Sequence, residues 1–153
     1  MAEPLLTTRL EAGPFEPLQA LAAWQAAVAT ALGAPAAAES HFIGRVRPTG
    51  AAGEPLAALE LEHYPGMTEA QLHALASAAA SRHGAAAVLV QHRVGRVRPG
   101  EPIVLVAVAA DRRGPALRCG LELLEALKHE APFWKREWLA DGRSSWVQGN
   151  TPL

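Results

Sequence analysis

Helices separated by paired strands, without regular strand–helix alternation, predict an α+β fold for this chain of 153 residues. Two observations carry that prediction. Apolar residues recur at helical spacing in three stretches, and the intervening segments read as alternating or continuously apolar strands bounded by Gly and Pro. The resulting order is α-β-β-α-β-β-α-β-β, with three main helices against a mixed, mostly antiparallel sheet. Hydrophobic residues make up 50% of the chain, and its length suits one domain over 1–153, with flexible arms expected at 1–16 and 149–153.

Residues 1–14 are polar and interrupted by proline, whereas 17–32 place Leu18, Leu21, Ala22, Val28 and Leu32 at helical spacing before a C-capping Gly33. After an alanine-rich connector, residues 40–47 read as a strand with Phe42 and Val46 on one face and Ile43 and Arg47 on the other. The Pro- and Gly-rich stretch 48–55 predicts a loop, either a mobile cover or an idle connection. A second strand over 56–63 ends in Tyr64-Pro65-Gly66, and the Thr68-x-x-Gln71 spacing predicts a capping box opening a helix to about Arg82.

Residues 86–97 then read as one β-run with Val88, Val90, His92 and Val94 facing one way. A turn at 98–101 leads to an almost uninterrupted apolar strand over 103–109, predicting a hairpin whose second arm is buried on both faces. Asp111 to Pro115 open the third helix, with Leu117, Leu121, Leu124 and Leu127 as its apolar stripe. Pro132 stops it, and strands follow over 133–139 and 145–148 around a turn at 140–143.

A net charge of −1 removes the global electrostatic argument for binding nucleic acid or an acidic membrane. No run is apolar and long enough to span a bilayer, and the N-terminus does not resemble a signal peptide, so a cytoplasmic protein is expected. The single Cys119, inside a predicted helix, reads as a buried core thiol. There is no Gly-rich phosphate loop, no His-Glu-x-x-His and no Gly-x-Ser-x-Gly, and the six histidines lie at no metal-ligand spacing. No metal or other cofactor is therefore expected.

The chain's only two lysines, Lys128 and Lys135, flank Pro132, while every other fixed cation is arginine. Because the proline separates their elements, the two amines can converge on one pocket. Burial can lower an amine's pKa for proton transfer or attack on a carbonyl. The plainer alternative is that Lys128 complements a helix C-terminus and Lys135 pairs with a glutamate. Arg112 and Arg113, just before a helix N-terminus, suit a phosphate or carboxylate, or form a solvated pair satisfied by Asp111. Arg47 beside the loop has the same two readings, and His63 reads as a packed strand-end residue.

Four motifs add a resemblance to these open alternatives. Leu-Glu-His-Tyr-Pro-Gly-Met at 61–67, Gln-His-Arg-Val-Gly at 91–95, Pro-Gly-Glu at 99–101 and Leu-Lys-x-x-Ala-Pro-Phe-Trp-Lys-Arg-Glu at 127–137 resemble the large, catalytic subunit family of molybdopterin synthase. The similarity runs from about His41 to Val147. It implies a homodimeric sulfurtransferase that forms a heterotetramer with a small ubiquitin-like sulfur-carrier subunit, whose C-terminal Gly-Gly bears a thiocarboxylate. Sulfur would pass in two rounds to cyclic pyranopterin monophosphate, forming the dithiolene of molybdopterin, with no nucleic acid or membrane involved.

By the same resemblance, Lys128 and Lys135 match the family's catalytic lysines. Arg47 and Arg113 match arginines of the substrate and carrier-tail pocket, and Phe42 matches an aromatic nearby. Two positions depart from the pattern. Arg112 stands where the family commonly has histidine, and Asn150 stands near a position that often carries a basic residue. These departures motivate a competing reading, a non-catalytic homologue that binds the sulfur carrier as an adaptor.

Overall fold

The computed structural model describes residues 2–147. Its elements are β1 (Leu5–Glu11), α1 (Pro17–Leu32), β2 (Ala38–Arg45), β3 (Leu56–His63), α2 (Met67–His83), β4 (Ala87–Arg93), β5 (Gly95–Val97), β6 (Pro102–Ala110), α3 (Arg113–Glu130), β7 (Phe133–Leu139) and β8 (Ser144–Trp146). The α+β class and the three helices stand as expected, but the strands divide between two sheets, ordered β1-β4-β6-β2 and β5-β3-β7-β8. Within them only β1 and β4 run parallel.

The first sheet is covered on both faces. Val88, Val90, Val106 and Val108 meet Leu72, Ala76 and Ala80 of α2 and Cys119, Leu123 and Leu127 of α3. The alternate residues Ala87, Leu89, Leu105, Ala107 and Ala109 meet Leu21, Trp24 and Val28 of α1. This is why β4 and β6 read as continuous apolar runs: neither of their faces meets water. Leu72 and Leu123 are fully buried, each worth roughly 2 kcal/mol in apolar surface removed from water.

The expected flexible arm over 1–16 is corrected by β1, which lies in register against β4 from Leu5↔Ala87 to Glu11↔Arg93. Leu6 and Leu10 pack toward α2 and α3, and Leu5 toward α1. The Gln91 side-chain amide donates to Glu11 at 3.0 Å. The expected strand at 145–148 appears as β8, with Gln148 and Asn150 outside the described residues.

The single β-run over 86–97 is broken where the chain changes sheets. Gly95 adopts φ +80°, a left-handed conformation that suits glycine, and beyond it β5 pairs with β3. The buried Arg93 guanidinium braces this switch, donating to the Arg96 carbonyl at 2.9 Å and to Glu101 at 3.2 Å. Glu101 also accepts the Arg98 N–H at 3.0 Å, so one carboxylate fixes both the turn and the arginine.

Two local expectations differ in detail. The α2 cap is made by Glu69, which accepts the Gly66 N–H at 3.0 Å. Thr68 instead sits fully buried, accepting the Tyr64 N–H and donating to the Pro132 carbonyl at 3.3 Å. On α3 the buried face is Ala116, Cys119, Gly120, Leu123 and Leu127, while Leu117 and Leu121 are exposed. The small residues win that face because α3 runs close over β2. The Ser40 hydroxyl donates to the Ala116 carbonyl at 2.7 Å, and a Cβ on Gly120 would lie 2.8 Å from the same oxygen. Cys119 is the buried thiol expected, with its pKa pushed up to about 11 by burial and by the nearby Glu122 carboxylate.

Candidate active site

A cavity of about 400 Å³ opens where the two sheets meet, walled by Phe42 and Gly44 of β2, His92 of β4, Ile103 and Val104 of β6, and Leu124, Leu127, Lys128 and His129 of α3. Phe133, Trp134 and Lys135 of β7 complete the wall together with Ala131 and Val147. The helix ends at Glu130 and the strand begins at Phe133, so Pro132 reverses the chain between the two lysines. The amines therefore reach the cavity from different elements, α3 in the first sheet's helical layer and β7 in the second sheet.

Register explains how deep each amine lies. Lys135 stands opposite Leu61 of β3, and Leu61 faces the interior, so the Lys135 side chain runs inward with it. Residues on the other face of β7 point outward. There the Trp138 indole donates to Glu60 at 2.7 Å, and the guanidinium groups of Arg96 and Arg136 lie over its ring. Lys128 sits half-buried in the last turn of α3, where an ammonium also complements the helix dipole.

The electrostatics separate the two amines. Burial, and then the adjacent Lys128 ammonium, hold Lys135 below the ordinary lysine range. Neither lysine has a carboxylate ion-pair partner among the described residues, so the pairing of Lys135 with a glutamate is not seen. Phe42 joins the lysines in the wall. The site thus offers two positively charged or proton-donating nitrogens in a largely apolar cleft, an arrangement suited to gathering anions and moving protons between them.

The three arginines singled out from the sequence lie elsewhere in this chain. Arg112 and Arg113 stand at the opposite end of α3, beside a separate shallow cavity that they line with Arg118 and Pro115. At 1.5 Å per residue the helix sets Arg113 about 22 Å from Lys128. Arg112 is exposed, with its Nε 3.7 Å from the Asp111 carboxylate. Arg47 is exposed just beyond β2 and does not line the lysine cavity. The neighbouring loop is tethered: Glu137 accepts the Ala51 N–H at 3.2 and 3.3 Å, and Arg143 reaches Glu54 at 2.7 Å.

Sequence reading missed two residues of the wall. Trp134 is an exposed aromatic at the rim, edge-on to Tyr64 with centroids 4.8 Å apart. His92, buried, stacks on Phe133 with centroids 4.2 Å apart and planes at 15°. The signal for His92 was present in the polar Gln91-His92-Arg93 ending an otherwise apolar strand. Among the described residues no group of three or more His, Cys, Asp or Glu side chains is placed to hold a metal ion.

The family model described as MoaE protein matches residues 15–130. The chain belongs to the MoaE family. This MoaE chain is 47% identical over 110 residues to the molybdopterin synthase catalytic subunit of Ralstonia nicotianae, covering 72% of this chain and 61% of that protein. It is 46% identical over 106 residues to the protein of the same name from Cereibacter sphaeroides, covering 69% of this chain and 70% of that one.

Among solved structures, the MoaE protein of Burkholderia ambifaria superposes with a TM-score of 0.75 at 39% identity, over 94% of this chain and 89% of that one. A molybdopterin synthase structure from Staphylococcus aureus gives 0.72 at 25% identity, over 98% and 99%. The MoaE chain spans about three-fifths of the length of several curated relatives, 61% for Ralstonia nicotianae and 57% for Brucella melitensis. No helix among its described residues is long and apolar enough to cross a membrane.

Proposed function

We propose that this chain is the catalytic subunit of a molybdopterin synthase, transferring sulfur from a carrier subunit's C-terminal thiocarboxylate to cyclic pyranopterin monophosphate in the cytoplasm. The observation that carries the reading is the convergence of Lys128 and Lys135 on one cavity. Relatives named molybdopterin synthase catalytic subunit support it. Both reactants are anions that repel each other, and two ammonium groups offset that repulsion while fixing the geometry of approach.

In each round a carbon–sulfur bond forms on the pterin side chain as a carbon–oxygen bond at that carbon breaks and its oxygen departs with phosphate or as water, and the carrier's acyl–sulfur bond breaks with water supplying the oxygen of the new carboxylate. Protons must be delivered and removed at both centres. Lys128 and Lys135 are the groups assigned to that work, with Phe42 and Trp134 as apolar walls. Lys135, held below the ordinary lysine range by burial and then by the Lys128 charge, gives up its proton more readily than a solvated lysine would.

Arg47, Arg112 and Arg113 are assigned to binding substrate or the carrier tail. Since α3 separates Arg113 from Lys128 by its own length, that assignment calls for a second copy of the chain, with the carrier completing a heterotetramer. The test is single-turnover conversion of cyclic pyranopterin monophosphate with a thiocarboxylated carrier from the same organism, comparing wild type with Lys128→Ala. Dithiolene product from wild type, absent with a folded variant that still binds the carrier, is the expected result. Carrier binding without product from wild type would overturn the catalytic reading in favour of an adaptor.

A further inference from the structure

A carboxylate that belongs beside Lys135 is held away from it. Phe133, Lys135, Glu137 and Leu139 alternate along β7 and project from one face, where Leu61 and Leu59 of β3 stand opposite Lys135 and Glu137. Two residues along a strand set their side chains about 7 Å apart, a gap that a lysine and a glutamate can close between them. Yet no ion pair joins these two.

The Glu137 carboxylate turns instead to the 48–55 loop, where Oε1 and Oε2 accept the Ala51 N–H at 3.3 and 3.2 Å. Glycine permits the approach, since a Cβ on Gly50 would lie 2.9 Å from Glu137 Oε1. The loop is braced in this pose. Inside it the Gly50 N–H donates to the Glu54 carbonyl at 2.8 Å, and the Leu56 N–H closes its base on the Pro48 carbonyl at 3.0 Å. Two further contacts tie it to the hairpin of β7 and β8: the Ala140 N–H donates to the Pro55 carbonyl at 3.0 Å, and Arg143 reaches Glu54 at 2.7 Å.

The other groups around Lys135 offer it no negative charge. α3 presents Lys128 and His129, β4 presents His92, and β2 presents Phe42 and Gly44, with Val147 beyond β8. On β3, His63 shares the face of Leu61, while Glu60 and Glu62 lie on the other face, Glu60 accepting from the Trp138 indole. Among the described residues of β3 and β7, Glu137 is the carboxylate on the lysine's face. We propose that the 48–55 loop is a switch on Lys135: docked, it withholds the Glu137 carboxylate and leaves the amine unpaired; lifted, it releases Glu137 to form an ion pair with Lys135.

An amine paired with a carboxylate keeps its proton. With the loop docked, burial and the Lys128 charge act on Lys135 unopposed and hold it below the ordinary lysine range. The benefit to catalysis rests on the role proposed for Lys135 in sulfur transfer, but the exchange of partners does not.

Trace acetylation of the full chain over a range of pH, read lysine by lysine by mass spectrometry, follows the switch without carrier or pterin. Ala51→Pro removes the N–H that holds Glu137. An opposite charge beside an ammonium favours its protonated form, so the Lys135 midpoint should rise by about one pH unit. Adding Glu137→Gln, which takes away the charge, should cancel that rise. Should Ala51→Pro fail to fold, Gly50→Ala replaces it: Gly50 does not adopt a left-handed conformation, and the added methyl displaces the carboxylate from the loop. The same rise, cancelled in the same way, is expected. An unchanged Lys135 midpoint in the folded variant, or a rise that survives Glu137→Gln, overturns the proposal. Failure of sulfur transfer with the expected midpoints intact would count against the function alone.

Discussion

Acidification should expose the cost of burying His92. In the unfolded chain its imidazole takes up a proton near pH 6.5, whereas in the folded protein burial first, and Lys135 in addition, delay this to about pH 4. A folded-state pKa below the unfolded one means that the unfolded chain binds more protons between those limits, so stability falls as pH falls through that window. Above pH 6.5 the group contributes no pH dependence, and below pH 4 the loss is complete. At about 1.4 kcal/mol per pH unit of separation, the loss amounts to about 3 kcal/mol, a sizeable part of the 5–15 kcal/mol typical of a domain.

Urea unfolding at pH 7, 5.5 and 4, for wild type and His92→Phe, measures this directly. Carboxylates titrating in the same range are common to both proteins and cancel in the difference. Wild type should lose about 3 kcal/mol more than the variant between pH 7 and pH 4. Parallel losses in the two proteins would refute the claim that a buried neutral imidazole stands at the cavity wall.

Two further outcomes test the fold around the site. Gly120→Ala sets a methyl carbon 2.8 Å from the Ser40 hydroxyl and should cost about 1–3 kcal/mol in urea unfolding, with much of the loss recovered when Ser40→Ala is added. Glu137→Ala releases the Ala51 N–H and should leave global stability within about 1 kcal/mol while making the 48–55 loop more susceptible to limited proteolysis, read by the position of first cleavage.

What could be read from the sequence followed the strength of local chemistry. β3 and α1 fell where alternation, helical spacing and flanking Pro and Gly all agreed. The convergence of Lys128 and Lys135 was legible because Pro132 forces a change of element between them. β1 was not, since a short edge strand pairing in parallel with β4 depends on a partner some eighty residues away and carries two threonines and two charges in its pattern. The α3 stripe was misjudged because leucine weighs more than alanine or glycine in any hydrophobic count. Close approach to β2 rewards the smaller residues instead. The placement of Arg112 and Arg113 far from the lysines follows from helix length, which residue types alone do not encode.

The two amines belong to separately supported layers, α3 to the first sheet and β7 to the second, joined by the short connection through Pro132. Thr68 holds that connection from the start of α2 by a single hydrogen bond to the Pro132 carbonyl. The spacing between the amines is therefore a gauge of how the layers sit on one another, and an anion touching both would rivet the layers together. Such a rivet makes occupancy of the cavity a mechanical event, felt in both sheets and at the head of α2.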